Sequence, residues 1–237
     1  VSGDRPGAAL LQLVAVMDTL RVSCPWDARQ THESLGPHLL EECYEALEAL
    51  ESGDPAALRD ELGDVLLQVV FHARIAAEAT DGTGYTIDDV AEGIVAKLIR
   101  RHPHVFADVT VSGPEEVKQN WDAIKAAERA GAGGGAASAL DTVPLGQPAL
   151  ALAAQLQRRA ERAGVPADLG LSAGADGQAD GAGDGVSELG AELFALVAKA
   201  RAAGLDPERE LRAAARAYRD RARAWELARG ASPRPGT

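Results

Sequence analysis

The sequence predicts an all-α protein organised around an antiparallel helix hairpin, and three observations carry that prediction. Apolar residues recur at three- and four-residue spacing along most of the chain. No stretch of consequence reads as a strand, and turn-forming clusters of Gly, Pro, Ser and Asp separate the periodic segments. An apolar fraction of 46% is ample for a core, and with aromatics at 4% that core must be aliphatic and Ala-rich.

Ala8 to Leu20 reads as a first helix, with Leu10, Leu13, Val14 and Met17 on one face. Cys24-Pro25-Trp26-Asp27 follows, where Pro25 interrupts helix and Trp26 offers a large packing surface, expected as a core plug. In the second helix Leu39, Leu40, Cys43, Ala46, Leu47 and Leu50 form the expected buried stripe. Glu42 and Glu45 lie to one side of it, and Glu41 and Glu48 further round. Ser52-Gly53-Asp54-Pro55 is the turn to a third helix, from about Pro55 to Ala79. Its apolar residues (Leu58, Leu62, Val65 to Leu67, Val69 to Phe71, Ile75) wrap nearly all round it, which predicts burial nearly all round.

Thr86 caps a fourth helix with Asp88 and Asp89 in its first turn, and Pro103 ends it after Arg101. Lys97 and Arg101 share one face of that helix. Ser112 with Glu115 has capping-box spacing for a fifth helix, on which Trp121 and Lys125 lie one turn apart. Gly131 to Ser138 reads as a flexible linker and Gly170 to Gly185 as disordered. Helices are expected over Gln147–Ala163, Glu188–Ala203 and Pro207–Ala228.

The hairpin carries two acidic clusters, Glu41-Glu42-Cys43-Tyr44-Glu45 and Glu61-Leu62-Gly63-Asp64. Glu42 and Glu45 are three residues apart, as are Glu61 and Asp64, so each pair projects from one side of its helix. Folded back on one another, the two helices converge four carboxylates. Crowded carboxylates repel, and a hard divalent cation with oxygen ligands relieves them. An acidic pair at this spacing is by default a solvated surface. Two pairs on adjacent helices, one of them on an apolar helix, favour the metal reading.

A net charge of −12 argues against a nucleic-acid polymer as partner, since phosphate backbones need a basic surface. Two cysteines, Cys24 and Cys43, form neither a disulfide framework nor a zinc set, and Cys43 is expected in the core. No apolar run approaches a membrane span, so a cytoplasmic protein is the expectation. An internal repeat aligns Glu61-Leu62-Gly63-Asp64-Val65-Leu66 with Glu188-Leu189-Gly190-Ala191-Glu192-Leu193. Ala191 replaces Asp64, the Lys97 position falls at Ala217, and no Glu-Glu-x-x-Glu precedes the second copy. The expected organisation is a catalytic domain over 1–129, a linker over 130–146, a degenerate second helical region over 147–229, and a tail over 230–237.

These residues resemble the MazG family of nucleoside triphosphate pyrophosphohydrolases. The motif of its superfamily, Glu-Glu-x-x-Glu followed by Glu-x-x-Asp, stands here as Glu41-Glu42-x-x-Glu45 and Glu61-x-x-Asp64. Cys24-Pro25-Trp26-Asp27, the run from Glu61 to Phe71, Arg100-Arg101-His102-Pro103-His104-Val105-Phe106 and Trp121-x-x-Ile124-Lys125 extend the likeness over residues 8–129. The resemblance implies a MazG-like helical bundle that hydrolyses NTPs or dNTPs to monophosphate and pyrophosphate. It implies Mg²⁺ as cofactor, with Mn²⁺ as a substitute. It makes Glu42, Glu45, Glu61 and Asp64 the metal ligands and Glu41 an auxiliary acid or water-orienting base. It sets Lys97, Arg101, Trp121 and Lys125 around the nucleotide.

Three other readings compete. One is a narrower dCTP, dUTP or regulatory-nucleotide hydrolase, and another is a non-catalytic helical regulatory protein. The third, a di-iron bundle, fits less well, because such proteins use Glu-x-x-His where this chain has Glu61-x-x-Asp64. A third helix apolar on most sides also predicts a homodimer or higher homo-oligomer sharing a helical bundle, unless the second repeat covers it within one chain.

Overall fold

The computed structural model describes residues 7–131, 138–166 and 186–230, and among them the structure is helices and turns with no strand. The linker core at 132–137, the Gly/Asp-rich segment at 167–185 and the tail from 231 lie outside the described residues. The chain divides into two compact units, Val1–Lys125 and Ala126–Thr237.

The first unit is built on three helices: α1 (Ala8–Ser23), α2 (His32–Ser52) and α3 (Pro55–Ala76). Helix α3 packs against α1 and, most extensively, against α2. Met17, Leu35, Val70 and Phe71 form the buried core, with Leu13, Val14, Leu67, Ile75 and Ile87 packed around it. Helix α2 starts two turns earlier than its acidic cluster suggests. Thr31 accepts from the Ser34 N–H at 3.2 Å while Ser34 Oγ accepts from the Thr31 N–H at 2.9 Å, a reciprocal cap. The hairpin turn is tight. Gly53 ends α2 with φ +73, a left-handed conformation suited to glycine, and Asp54 Oδ1 then accepts from the Ala56 and Ala57 amides at 2.9 and 3.2 Å. Pro55 occupies the first turn of α3, where no amide hydrogen is needed.

Helix α4 (Ile87–Arg101) begins with the predicted cap, Thr86 Oγ1 accepting from the Asp89 N–H at 3.3 Å and Asp89 Oδ2 from the Thr86 N–H at 2.7 Å. The short α5 (Pro103–Phe106) follows, and then α6 (Pro114–Gly131). At the entry to α6 the side-chain partner of Ser112 is Glu116 rather than Glu115, with Glu116 Oε2 accepting from the Ser112 amide at 2.7 Å. Because the helix starts at Pro114, it is Glu116 that turns back toward Ser112.

The second unit contains α7 (Ala149–Arg162), α8 (Glu188–Ala202) and α9 (Pro207–Gly230), with α7 packed on both of the others. Val143, Ala154 and Val197 are buried in it. Gln157 donates to the Phe194 carbonyl at 2.8 Å, and Arg201 pairs with Glu161 at 2.6 Å. Ser187 caps α8 by accepting from Gly190 N at 3.1 Å.

Burial differs from expectation at three places. On α2 the buried residues are Leu35 and Ala49, whereas Cys43 is exposed and Leu40, Leu47 and Leu50 are largely open to solvent. On α3 the burial nearly all round is confined to the C-terminal half, where Gln68, Val70, Phe71, Ala73 and Ala76 are buried on successive sides, while Leu62 in the N-terminal half, and Val69, are exposed. Trp26 is 53% exposed and so plugs no core. It lies across the hairpin, edge-on to His38 at 6.0 Å and to Phe71 at 6.5 Å between ring centroids. Periodicity marks apolar faces, and a single chain of this unit has too few helices to cover them all. No helix among the described residues is long and apolar enough to cross a membrane.

Candidate functional site

The acidic clusters meet where the spacing predicts. Glu42 and Glu45 of α2 and Glu61 of α3 each offer an oxygen within 4.8 Å of the others. Glu42 and Glu61 are partly buried and Glu45 is exposed, so the group sits at the rim of the α2–α3 seam. Asp64 lies outside this 4.8 Å group, yet its charge acts on both Glu42 and Glu61. Desolvation, then the charges of Asp64, Glu45, Glu41 and Glu61, hold the Glu42 carboxyl above its usual range. Glu61 is raised likewise, first by desolvation and then by Glu45, Asp64 and Asp60. Carboxylates that resist ionising through desolvation and then through one another's charge form a site of negative potential open to a cation. All its donors are hard oxygens, as Mg²⁺ or Mn²⁺ requires. Glu41 stands apart on the exposed side of α2, 3.8 Å from His38 Nδ1.

The hairpin register extends this layer. Glu45 faces Glu61 at one end, and thirteen residues back along α2 His32 faces His72, eleven residues on along α3. Gln68 lies on α3 between these two facing points. Sequence reasoning singled out neither Gln68 nor the His32–His72 pair. Once Glu45 is set against Glu61, though, counting equal steps in opposite directions from that pair comes within two residues of the histidine pairing.

The four residues expected around the nucleotide belong to α4 and α6. Lys97 is exposed on α4, and Arg101 is half-buried at its end. Lys125 Nζ lies 3.9 Å above the Trp121 ring centroid, a cation–π contact. Trp121 also meets His102, the C-cap of α4, at 6.1 Å between centroids. The structure thus joins Trp121 with Lys125 and with the end of α4.

Residues 30–106, which include every clustered carboxylate, match the MazG nucleotide pyrophosphohydrolase domain. The nucleoside triphosphate pyrophosphohydrolase/pyrophosphatase MazG of Thermotoga maritima is 38% identical over 230 residues, spanning 93% of this chain and 86% of that protein. This chain belongs to the MazG family. An uncharacterised 26.1 kDa protein from the blaB 3' region of Streptomyces cacaoi is 48% identical over 228 residues, covering 95% of this MazG-family chain and 86% of the relative. A nucleoside triphosphate pyrophosphohydrolase of Mycolicibacterium smegmatis is 50% identical over 165 residues, covering 70% of this chain but half of that longer protein.

Proposed function

We propose that this chain is a Mg²⁺-dependent nucleoside triphosphate pyrophosphohydrolase, converting NTPs and dNTPs to nucleoside monophosphate and pyrophosphate. The observation that carries the reading is the convergence of Glu42, Glu45 and Glu61 within 4.8 Å on a family-matched hairpin. In this reading those three, with Asp64 beside them, are the cation ligands, and Glu41 is the auxiliary acid that orients the attacking water. Mg²⁺, or Mn²⁺ in its place, supplies charge neutralisation, a clamp on phosphate oxygens and an acidified water. Lys97, Arg101 and Lys125 hold the triphosphate and stabilise charge on the departing pyrophosphate. Trp121 stacks on the base through the face that Lys125 leaves open. Stacking without base-edge readout suits broad substrate use and a role in clearing surplus or damaged nucleotides in the cytoplasm.

A homodimer belongs to the same proposal. Val90, Ile94, Val95, Leu98 and Ile99 on α4 and Leu40, Leu47 and Leu50 on α2 are exposed apolar residues, more than a monomer leaves uncovered without reason. The second unit, with Ala191 in the place of Asp64, is read as a helical region without catalysis of its own.

The deciding experiment is a product assay over all common NTPs and dNTPs, with Mg²⁺ and with chelator. The expected result is pyrophosphate release from several of them, abolished by chelator and in Glu42→Ala, Glu61→Ala and Asp64→Ala. Turnover of one nucleotide alone would replace the broad reading with the narrower one. Wild-type turnover in the alanine variants would remove the site assignment, and no turnover or nucleotide binding at all would favour a regulatory protein.

A further inference from the structure

The α2-facing side of α3 carries a polar group that the proposed chemistry does not use. Gln68 is 6% exposed, and among the described residues it is the one polar side chain in the buried class. Its Oε1 is shielded from solvent and has no hydrogen-bond partner. Such an acceptor loses its water on folding and gains nothing in return, whereas an apolar side chain of the same length carries no such penalty. The free protein therefore holds an acceptor whose partner arrives later or comes from outside the chain.

Its placement says which partner. Gln68 lies four residues after Asp64 and seven after Glu61, on the same side of α3. Helical side chains lean toward the N-terminus, over the preceding turn, and here that turn is the one bearing Asp64. Gln68 lies on α3 between Glu61, which meets Glu42 and Glu45 of α2, and His72, which meets His32 of α2. Trp26 lies edge-on to both His38 of α2 and Phe71 of α3. Gln68 is buried whereas Glu42 and Glu61 are only partly so and Glu45 is exposed, so along α3 the amide stands on the interior side of the carboxylate group and solvent on the other.

We infer that Gln68 is a positioning residue of the cation site, its Oε1 accepting a hydrogen bond from a water of the bound cation's hydration shell. This rests on the cation reading of the carboxylate group given above. Holding one water from the inner side fixes how the hydrated cation sits between α2 and α3, which the rim carboxylates alone leave free. Residues that orient a cation's surroundings in this way alter its affinity without touching it.

The test measures Mg²⁺ binding by titration calorimetry, and Tm with and without Mg²⁺, on the full chain. In Gln68→Met the orphaned acceptor is gone, so the metal-free Tm is expected to equal or exceed that of the wild type while Mg²⁺ affinity falls about tenfold. In Gln68→Glu an acceptor remains and a negative charge is added, so Mg²⁺ binds more tightly and the metal-free Tm drops. An amide that merely packs gives a different pattern, a lower metal-free Tm in Gln68→Met and unchanged Mg²⁺ affinity in both variants, and this overturns the inference. Should Gln68→Met fail to fold, Gln68→Glu decides, since unchanged or weaker Mg²⁺ binding there also overturns it. Glu61→Gln separates the two levels. Binding that is absent in the wild type, or undiminished in Glu61→Gln, removes the cation reading itself. Binding lost in Glu61→Gln but untouched in Gln68→Met removes only the role of Gln68.

Discussion

The Nδ1 atoms of His32, at the start of α2, and His72, near the end of α3, lie 2.8 Å apart with their rings 4° from parallel. One nitrogen must donate and the other accept, so the pair holds a single proton between the two helices. A second proton there sets donor against donor. Desolvation, then the charge of His32, lowers the pKa of His72.

The sign of the resulting pH dependence follows from linkage. Because folding lowers the His72 pKa below its ordinary value of 6.5, the unfolded chain binds more protons than the folded one as the pH drops below that value. The contribution is thus fully present above 6.5 and is lost as the pH falls toward the depressed folded value. Tm measured from neutral pH downward is expected to decline through this window. In His72→Gln the decline should flatten, and an unaltered slope in that variant would exclude the pair as its source.

Arg21 ties three segments together. Its guanidinium makes a two-pronged contact with Glu78, at 2.8 Å on both prongs, and donates to the carbonyls of Asp27 and Gln30. Arg74 adds contacts to Glu78 at 2.9 Å and to Asp18 at 2.8 Å. The hydrogen bond from Arg21, opposed by desolvation and then helped by its charge and that of Arg74, keeps the Glu78 carboxyl below its usual range. Arg21→Met leaves Glu78 and two carbonyls without that donor and is expected to cost about 2–3 kcal/mol, measured by urea unfolding. Mg²⁺ affinity should not move, because none of these groups belongs to the carboxylate cluster.

The cluster itself lowers stability in the absence of a cation. Glu45→Gln relieves the repulsion that Glu45 exerts on Glu42 and Glu61. It is expected to raise the metal-free Tm while abolishing the Tm increment that Mg²⁺ gives the wild type. A lower metal-free Tm would mean that Glu45 makes a favourable contact instead.

The turn between α2 and α3 is under conformational control. Gly53 has φ +73 with nothing within 4 Å of where a Cβ would stand, so Gly53→Ala meets no clash and suffers only from its backbone angle. The expected loss is about 1 kcal/mol in chemical denaturation, and Gly53→Asn should lose less.

The homodimer proposal makes a prediction of its own. If α4 is the shared surface, Ile94→Lys and Leu98→Lys should shift a light-scattering mass from twice the chain mass to one. Val22→Lys, a change at a still more exposed position on α1, should leave it alone.

What the sequence discloses about this fold is local. The Thr86 cap needs only residues up to Asp89, and the spacing of Glu42, Glu45, Glu61 and Asp64 fixes which side of each helix they take, so these are legible. Burial is not local. Leu40 and Leu50 have the spacing of core residues and are exposed because no helix of this unit covers them, while Gln68 has the chemistry of a surface residue and is buried. The His32–His72 pairing needs the hairpin register, which no window of one helix contains. Ser112 shows the smallest version of the same problem, since shifting the helix start by one residue exchanges Glu115 for Glu116.

The tight connection at Gly53 and Asp54 also bears on how the protein folds. Glu42 and Glu61 are nineteen residues apart, so the carboxylate group assembles across a short closed loop, and its closure entropy is small. Structures with such low contact order form early and fast. Mutual repulsion among the acids is then felt in the transition state for folding, not only in the finished protein. A cation that screens it should accelerate folding as well as retard unfolding, making the hairpin a nucleus whose rate of formation depends on Mg²⁺.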